Sequence, residues 1–252
     1  GNSYPRLAEF LGLLDLEDAA TLFNAFKSGR PVGSDPLIPV VENLESVGQR
    51  TALSLPFRGV FFIVQGNGGT VSHHKGGNNE FAWDMVIMRD GAMFKGNAHK
   101  NKNYFAWGEP VLAPAPGRIL NSENNNPDHS PLTTKMGDAN FALIDHENGE
   151  ISVIYHFMQN SVTVRPGDRV ERGERIAAVG DSGISMFPHI HYQLDRGDPT
   201  GDKLFAAPAR FACYFARTAD SDWRLVISGI PAPAEFVINA DDFVRFPEMR
   251  KK

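Results

Sequence analysis

From Phe57 onward the chain is a series of short β-branched and aromatic runs cut off by Gly, Asn, Pro and Asp clusters, with no long helical repeat between them. The runs are 59–65, 81–88, 111–120, 141–146, 151–157, 175–179 and 189–194. Parallel strands need crossover connections, usually helices, so this texture predicts a mainly β fold, an antiparallel sandwich or barrel-like sheet. Further runs at 210–216, 223–227 and 236–238 predict a β-rich C-terminal extension packed on the same sheet. Before the strands, Leu7, Phe10, Leu11 and Leu14, then Ala19, Leu22, Phe23 and Phe26, recur at helical spacing, with a break near Asp15. Two short amphipathic helices are expected there, followed by a linker at 29–39 that holds three prolines. The expected organisation is an N-terminal helical segment and linker over 1–56, a core over 57–195 and the extension over 196–252. Two Asn-, Gly- and Lys-rich stretches, 89–107 and 121–138, read as insertions between strands.

Composition narrows the chemistry. The net charge of −5 comes without any Lys/Arg-rich run, which argues against a nucleic-acid partner. The apolar runs are too short for a transmembrane segment, and residues 1–4 have no signal-peptide character. A single cysteine, Cys213, excludes an intramolecular disulfide and a cysteine-rich metal site, leaving His, Asp and Glu as metal ligands.

The sharpest local feature is Pro188-His189-Ile190-His191-Tyr192-Gln193-Leu194. Residues two apart on a strand share a face, so His189 and His191 project together. Asp84 is the lone charge in the apolar run Phe81-Ala82-Trp83-Asp84-Met85-Val86-Ile87, and burying a carboxylate is costly unless it is paired or metal-bound. His73 and His74 follow the turn Gly66-Asn67-Gly68-Gly69, and His156 ends the alternating run Ile154-Tyr155-His156. Taken singly, each has a bland reading as a structural or solvated residue. Together they supply what a hydrolytic zinc site needs: three protein ligands and an open position, with further groups to move protons.

The ordered motifs Ile144-Asp145-His146-Glu147-Asn148-Gly149, Tyr155-His156-Phe157, the stretch 164–177, Val179-Gly180-Asp181-Ser182-Gly183 and Pro188-His189-Ile190-His191 resemble those of the lysostaphin-type, LytM-like zinc metallopeptidases. The stretch 108–117 resembles the family's segment after its metal-binding Asp, and the likeness runs roughly from 59 to 194. The resemblance implies a zinc metallopeptidase core in which Asp84 and His191 bind zinc while His156 and His189 handle protons and stabilise the oxyanion. The family's first His ligand usually lies four residues before the Asp, where this chain has Glu80. A subset of relatives places a Ser/Thr-His pair farther upstream, which Ser72-His73 fits. His73 is therefore the first choice of ligand, with His74 next and Glu80 after it.

By the same resemblance the substrate is a peptide stem or cross-link of peptidoglycan, cleaved by a zinc-dependent endopeptidase outside the cytoplasm. The rival reading is a catalytically inactive relative serving as a binding or regulatory module. A lipoyl-type carrier is disfavoured because 164–183 offers no lysine to modify. Gly180-Asp181-Ser182-Gly183 is not a serine-protease loop, since no matching histidine motif precedes it, and Gly66-Asn67-Gly68-Gly69 lacks the Gly-Lys-Ser/Thr of a phosphate loop.

Overall fold

A computed structural model describes residues 48–66, 73, 78–133, 137–198, 204–245 and 248. The expected N-terminal helices, the linker at 29–39 and His74 lie outside the described residues.

The fold is mainly antiparallel β with little helix. Among the described residues the strands are β1 (Phe61–Gln65), β2 (Trp83–Val86), β3 (Pro110–Leu112), β4 (Gly117–Glu123), β5 (Phe141–Asp145), β6 (Glu150–Tyr155), β7 (Arg169–Val170), β8 (Arg175–Ala178), β9 (Ile190–Gly197), β10 (Leu204–Ala207), β11 (Phe211–Arg217), β12 (Arg224–Gly229) and β13 (Phe236–Asn239). One helix, α1 (Ala240–Arg245), follows β13, and a 3-10 turn spans Asn101–Asn103. The main sheet runs β12-β11-β13-β1-β2-β9-β6-β5-β4-β7, with β10 on the end of β9, and β3 and β8 form a separate ribbon.

Alternation along the strands decides the layers. Ile190, Tyr192 and Leu194 of β9, Trp83 and Met85 of β2, and Ile154 of β6 enter one buried cluster. Val111 of β3 and Ile176 and Ala177 of β8 belong to that cluster too, so the ribbon covers the core face of the sheet. On the other side Phe62, Val64 and Val86 meet Met93, Tyr104 and Phe187 in a smaller cluster. The stretch 89–107 thus builds a second hydrophobic core on the face of the sheet that carries the polar cluster described below. Arg89 stacks 4.7 Å above the Phe105 ring within it.

Two sequence expectations need correction. The run 111–120 is not one strand: β3 ends at Leu112, and β4 starts at Gly117 in a different sheet. Pro114 and Pro116 lie between them and have no N–H to give to a ladder, so the chain crosses from ribbon to sheet there. The second stretch, 121–138, does not begin where β4 was expected to stop, because β4 continues through Glu123. At the C-terminal side β13 pairs with β1 and β11 pairs with β13, so these strands extend the same sheet. The helix α1 was not foreseen; its Asp242 accepts the Gly59 N–H at 3.1 Å and ties it to the start of the core.

Candidate metal centre

Register brings the polar cluster together. On β9, His191 stands directly opposite Asp84 of β2 on one side and Tyr155 of β6 on the other. With Ile190 and Tyr192 in the core, His191 and Gln193 must face the opposite way. His189 lies one residue before β9, and its ring nevertheless joins the same cluster. His156 comes one residue after β6 with φ of 67°, a left-handed backbone for a residue with a Cβ. Such strain persists only where surrounding contacts fix it, and it concentrates at functional sites.

Asp84 is the hub. Its Oδ1 lies 3.0 Å from His191 Nδ1 and 3.4 Å from His189 Nε2, and its Oδ2 lies 3.2 Å from His73 Nε2. The His156 and His189 rings are 4.7 Å apart. Asp84, His156, His189 and His191 are all buried. Candidate ligand atoms fall into two overlapping groups, His73–Asp84–His191 and His156–His189–His191, each with its atoms within 4.8 Å of one another. Glu80 belongs to neither. The cluster opens into a cleft of about 990 Å3, also walled by Phe141, Tyr155, Met186 and Leu204. That is room for a segment of extended peptide.

Hydrogen bonds fix the ring tautomers. His156 Nδ1 donates to the Ser182 carbonyl at 2.7 Å, and His189 Nδ1 donates to the Phe187 carbonyl at 2.7 Å. A neutral ring in either position therefore keeps its lone pair on Nε2. For His191 the network assigns the reverse. The Gln193 amide nitrogen donates to the Asn78 carbonyl at 3.1 Å and to Asp195 Oδ1 at 2.6 Å, so its oxygen faces His191 Nε2 at 3.3 Å. That nitrogen must carry the hydrogen, which leaves the Nδ1 lone pair aimed at an Asp84 oxygen. Two acceptors 3.0 Å apart repel unless a cation lies between them. A proton can serve, and so can a divalent metal. The donor set of imidazole nitrogens and one carboxylate is the kind that zinc takes.

Electrostatics without a metal tell the same story. Burial pushes the Asp84 carboxyl up, but the neighbouring His73 and His189 imidazoles, with a hydrogen bond from His189, hold it well below the usual carboxylate range. Burial lowers His73 and His189, and the Asp84 charge overrides it and raises both. His156 is held well below the ordinary histidine range by burial and by the neighbouring His189 and His191. One carboxylate thus faces several imidazoles, and a metal bound among them would compete with protons for the same lone pairs.

Sequence reasoning passed over Gln193 and Asp195. The signal was available: His191, Gln193 and Asp195 occupy alternate positions of one strand and so share the face of the cluster. Ser182, by contrast, is no nucleophile. It is fully buried, and its hydroxyl donates to the Phe157 carbonyl at 2.8 Å while accepting the Asn140 N–H at 2.9 Å.

A histidine–carboxylate cluster in a cleft on an antiparallel sheet defines the class as a metallopeptidase-type site. Comparison with known proteins points to a family: residues 98–202 match the family model of peptidase family M23. The match contains His156, His189 and His191; His73 and Asp84 lie upstream of it. An uncharacterized metalloprotease of Haemophilus influenzae is 31% identical over 97 residues, which is 38% of this chain and 18% of that protein. The peptidoglycan DD-endopeptidase ShyC of Vibrio cholerae is 29% identical over 98 residues, again 38% of this chain and 20% of that one. Among solved structures, the catalytic domain of the prophage-encoded M23 protein EnpA of Enterococcus faecalis is 19% identical, with a TM-score of 0.42 over 62% of this chain and 95% of that one. The chain spans about a fifth of the length of the curated relatives it matches.

Proposed function

We propose that this protein is a zinc-dependent endopeptidase that cleaves peptide bonds in the stems or cross-links of peptidoglycan, outside the cytoplasm. The observation that carries the reading is the pair of acceptors at 3.0 Å, His191 Nδ1 and Asp84 Oδ1, which a metal ion reconciles. His73, Asp84 and His191 would hold the zinc. A zinc ion held there would supply Lewis-acid polarisation of the scissile carbonyl and a bound water of lowered pKa.

The remaining work falls to His156 and His189. Each is anchored by Nδ1 on a backbone carbonyl, so Nε2 is the atom free to exchange a proton. The low proton affinity of His156 keeps it neutral near pH 7, suited to accept a proton. His189, with Nε2 3.4 Å from Asp84 Oδ1, lies beside the proposed ligands, where it is suited to stabilise an oxyanion and to pass a proton to a leaving amine. The substrate class is supported by the relatives, one of which is named a peptidoglycan DD-endopeptidase.

The test is digestion of purified peptidoglycan by the full chain, with and without chelation and zinc restoration, in the His73→Ala and His74→Ala variants. New peptide termini that vanish on chelation, return with zinc and are lost in His73→Ala but kept in His74→Ala are expected. Release that survives chelation would remove the zinc mechanism, and the opposite pattern of the two variants would move the first ligand by one residue.

A further inference from the structure

The stretch between β4 and β5 reaches across the molecule to the two loops that hold the non-ligand histidines. Asp128 Oδ1 accepts the Asp181 N–H at 2.7 Å, and Oδ2 accepts the Gln159 N–H at 2.9 Å. A backbone bridge joins Asp128 to Ser182, and the His129 N–H donates to the Asp181 carbonyl at 3.0 Å. Gln159 belongs to the turn that starts at His156. Asp181 begins the loop that runs through Ser182 and Phe187, whose carbonyls anchor His156 and His189. The two loops are already pressed together at Gly180, where a Cβ would collide with the Met158 backbone. One carboxylate therefore takes an N–H from each loop, with both of its oxygens committed.

We propose that Asp128 is a positioning residue for this peptidase site: it clamps the His156 turn to the loop from Asp181 to Phe187, and so sets the tautomer and placement of His156 in the cluster. This rests on the proposed function. The logic is that of outer groups that orient site histidines. The left-handed backbone of His156 gives the clamp something to resist. At φ of 67° the turn is strained, and hydrogen bonds to its far end hold it in place. The stretch 121–138 is on this view a strut of the catalytic loops.

The experiment compares the full-length, zinc-loaded wild type with Asp128→Ala and Asp128→Asn, reading zinc content, kcat and KM on a peptidoglycan-derived peptide, and the ring tautomer of His156 by long-range 1H–15N correlation spectra. His156 is assigned by its absence from a His156→Gln sample. In Asp128→Ala the expected result is zinc still near one per chain, kcat down about 10- to 100-fold with KM little changed, and His156 passing from a single Nδ1–H tautomer to a mixture. Asp128→Asn keeps one acceptor oxygen and should fall between the two. A single wild-type tautomer together with wild-type kcat in Asp128→Ala would overturn the proposal. So would a rate loss that only tracks loss of zinc or of folded protein. If the wild type itself releases no peptide, the endopeptidase reading fails, and the tautomer comparison still decides whether Asp128 positions His156.

Discussion

Four histidines and an aspartate sit within one small volume, yet hydrogen bonding separates their tasks. His156 and His189 give Nδ1–H to main-chain carbonyls, whereas His191 gives Nε2–H to Gln193 and turns Nδ1 to Asp84. Replacing His156 or His189 by Ala should therefore leave zinc occupancy near one per chain while turnover falls about 10²–10⁴-fold, the usual loss when a proton-transfer or oxyanion partner goes. Paired metal analysis and kinetics check this. Full turnover in His189→Ala with zinc bound would remove its chemical role, and loss of zinc would mean that the two members of the His-x-His pair exchange roles.

At the scale of the element, β9 is the organising strand: one face fills the core and the other carries His191, Gln193 and Asp195 in a row. Gln193→Leu should weaken zinc binding about 10-fold or more, because His191 loses the partner that fixes its tautomer. Competition with a chromophoric chelator measures it, and unchanged affinity would show that Asp84 alone orients the ring. This strand also shows how much was legible. The His-x-His pair and the lone charge of Asp84 are local patterns, a period of two and a break in an apolar run, so both stood out. Gln193 and Asp195 obey the same period but resemble ordinary surface polarity, and only the fold shows them buried. Asp128 was illegible because its partners lie 31 and 53 residues away, and no local pattern encodes such contacts. The proline-bearing run 111–120 misled because its apolar character continues while its hydrogen bonding changes sheet.

For the whole molecule, the antiparallel sheet was readable from run lengths and turn residues, while its strand order was not. That order depends on which edges meet, as when β13 closes on β1. Folding also buries acids away from the candidate ligands. Burial pushes the Asp181 carboxyl up to about 7 from an ordinary value of 3.8, with the Asp128 charge adding to the rise. A carboxyl raised on folding favours the native state while protonated. Its contribution is fully present below about pH 4 and is lost as pH climbs to about 7. Asp181→Asn should thus raise the unfolding free energy at pH 8 by a few kcal/mol, with the gain shrinking toward pH 4. Chemical denaturation of both forms across that range checks it; a gain independent of pH would place the effect elsewhere.

Zinc held by Asp84 between His73 and His191 is the central claim, and metal stoichiometry of purified Asp84→Ala beside the wild type tests it most directly. One zinc per wild-type chain, and almost none in the variant after dialysis against a mild chelator, is the expected result, since two imidazoles alone cannot complete the site. Equal zinc in a folded Asp84→Ala variant would contradict it, and would shift the metal to His156, His189 and His191.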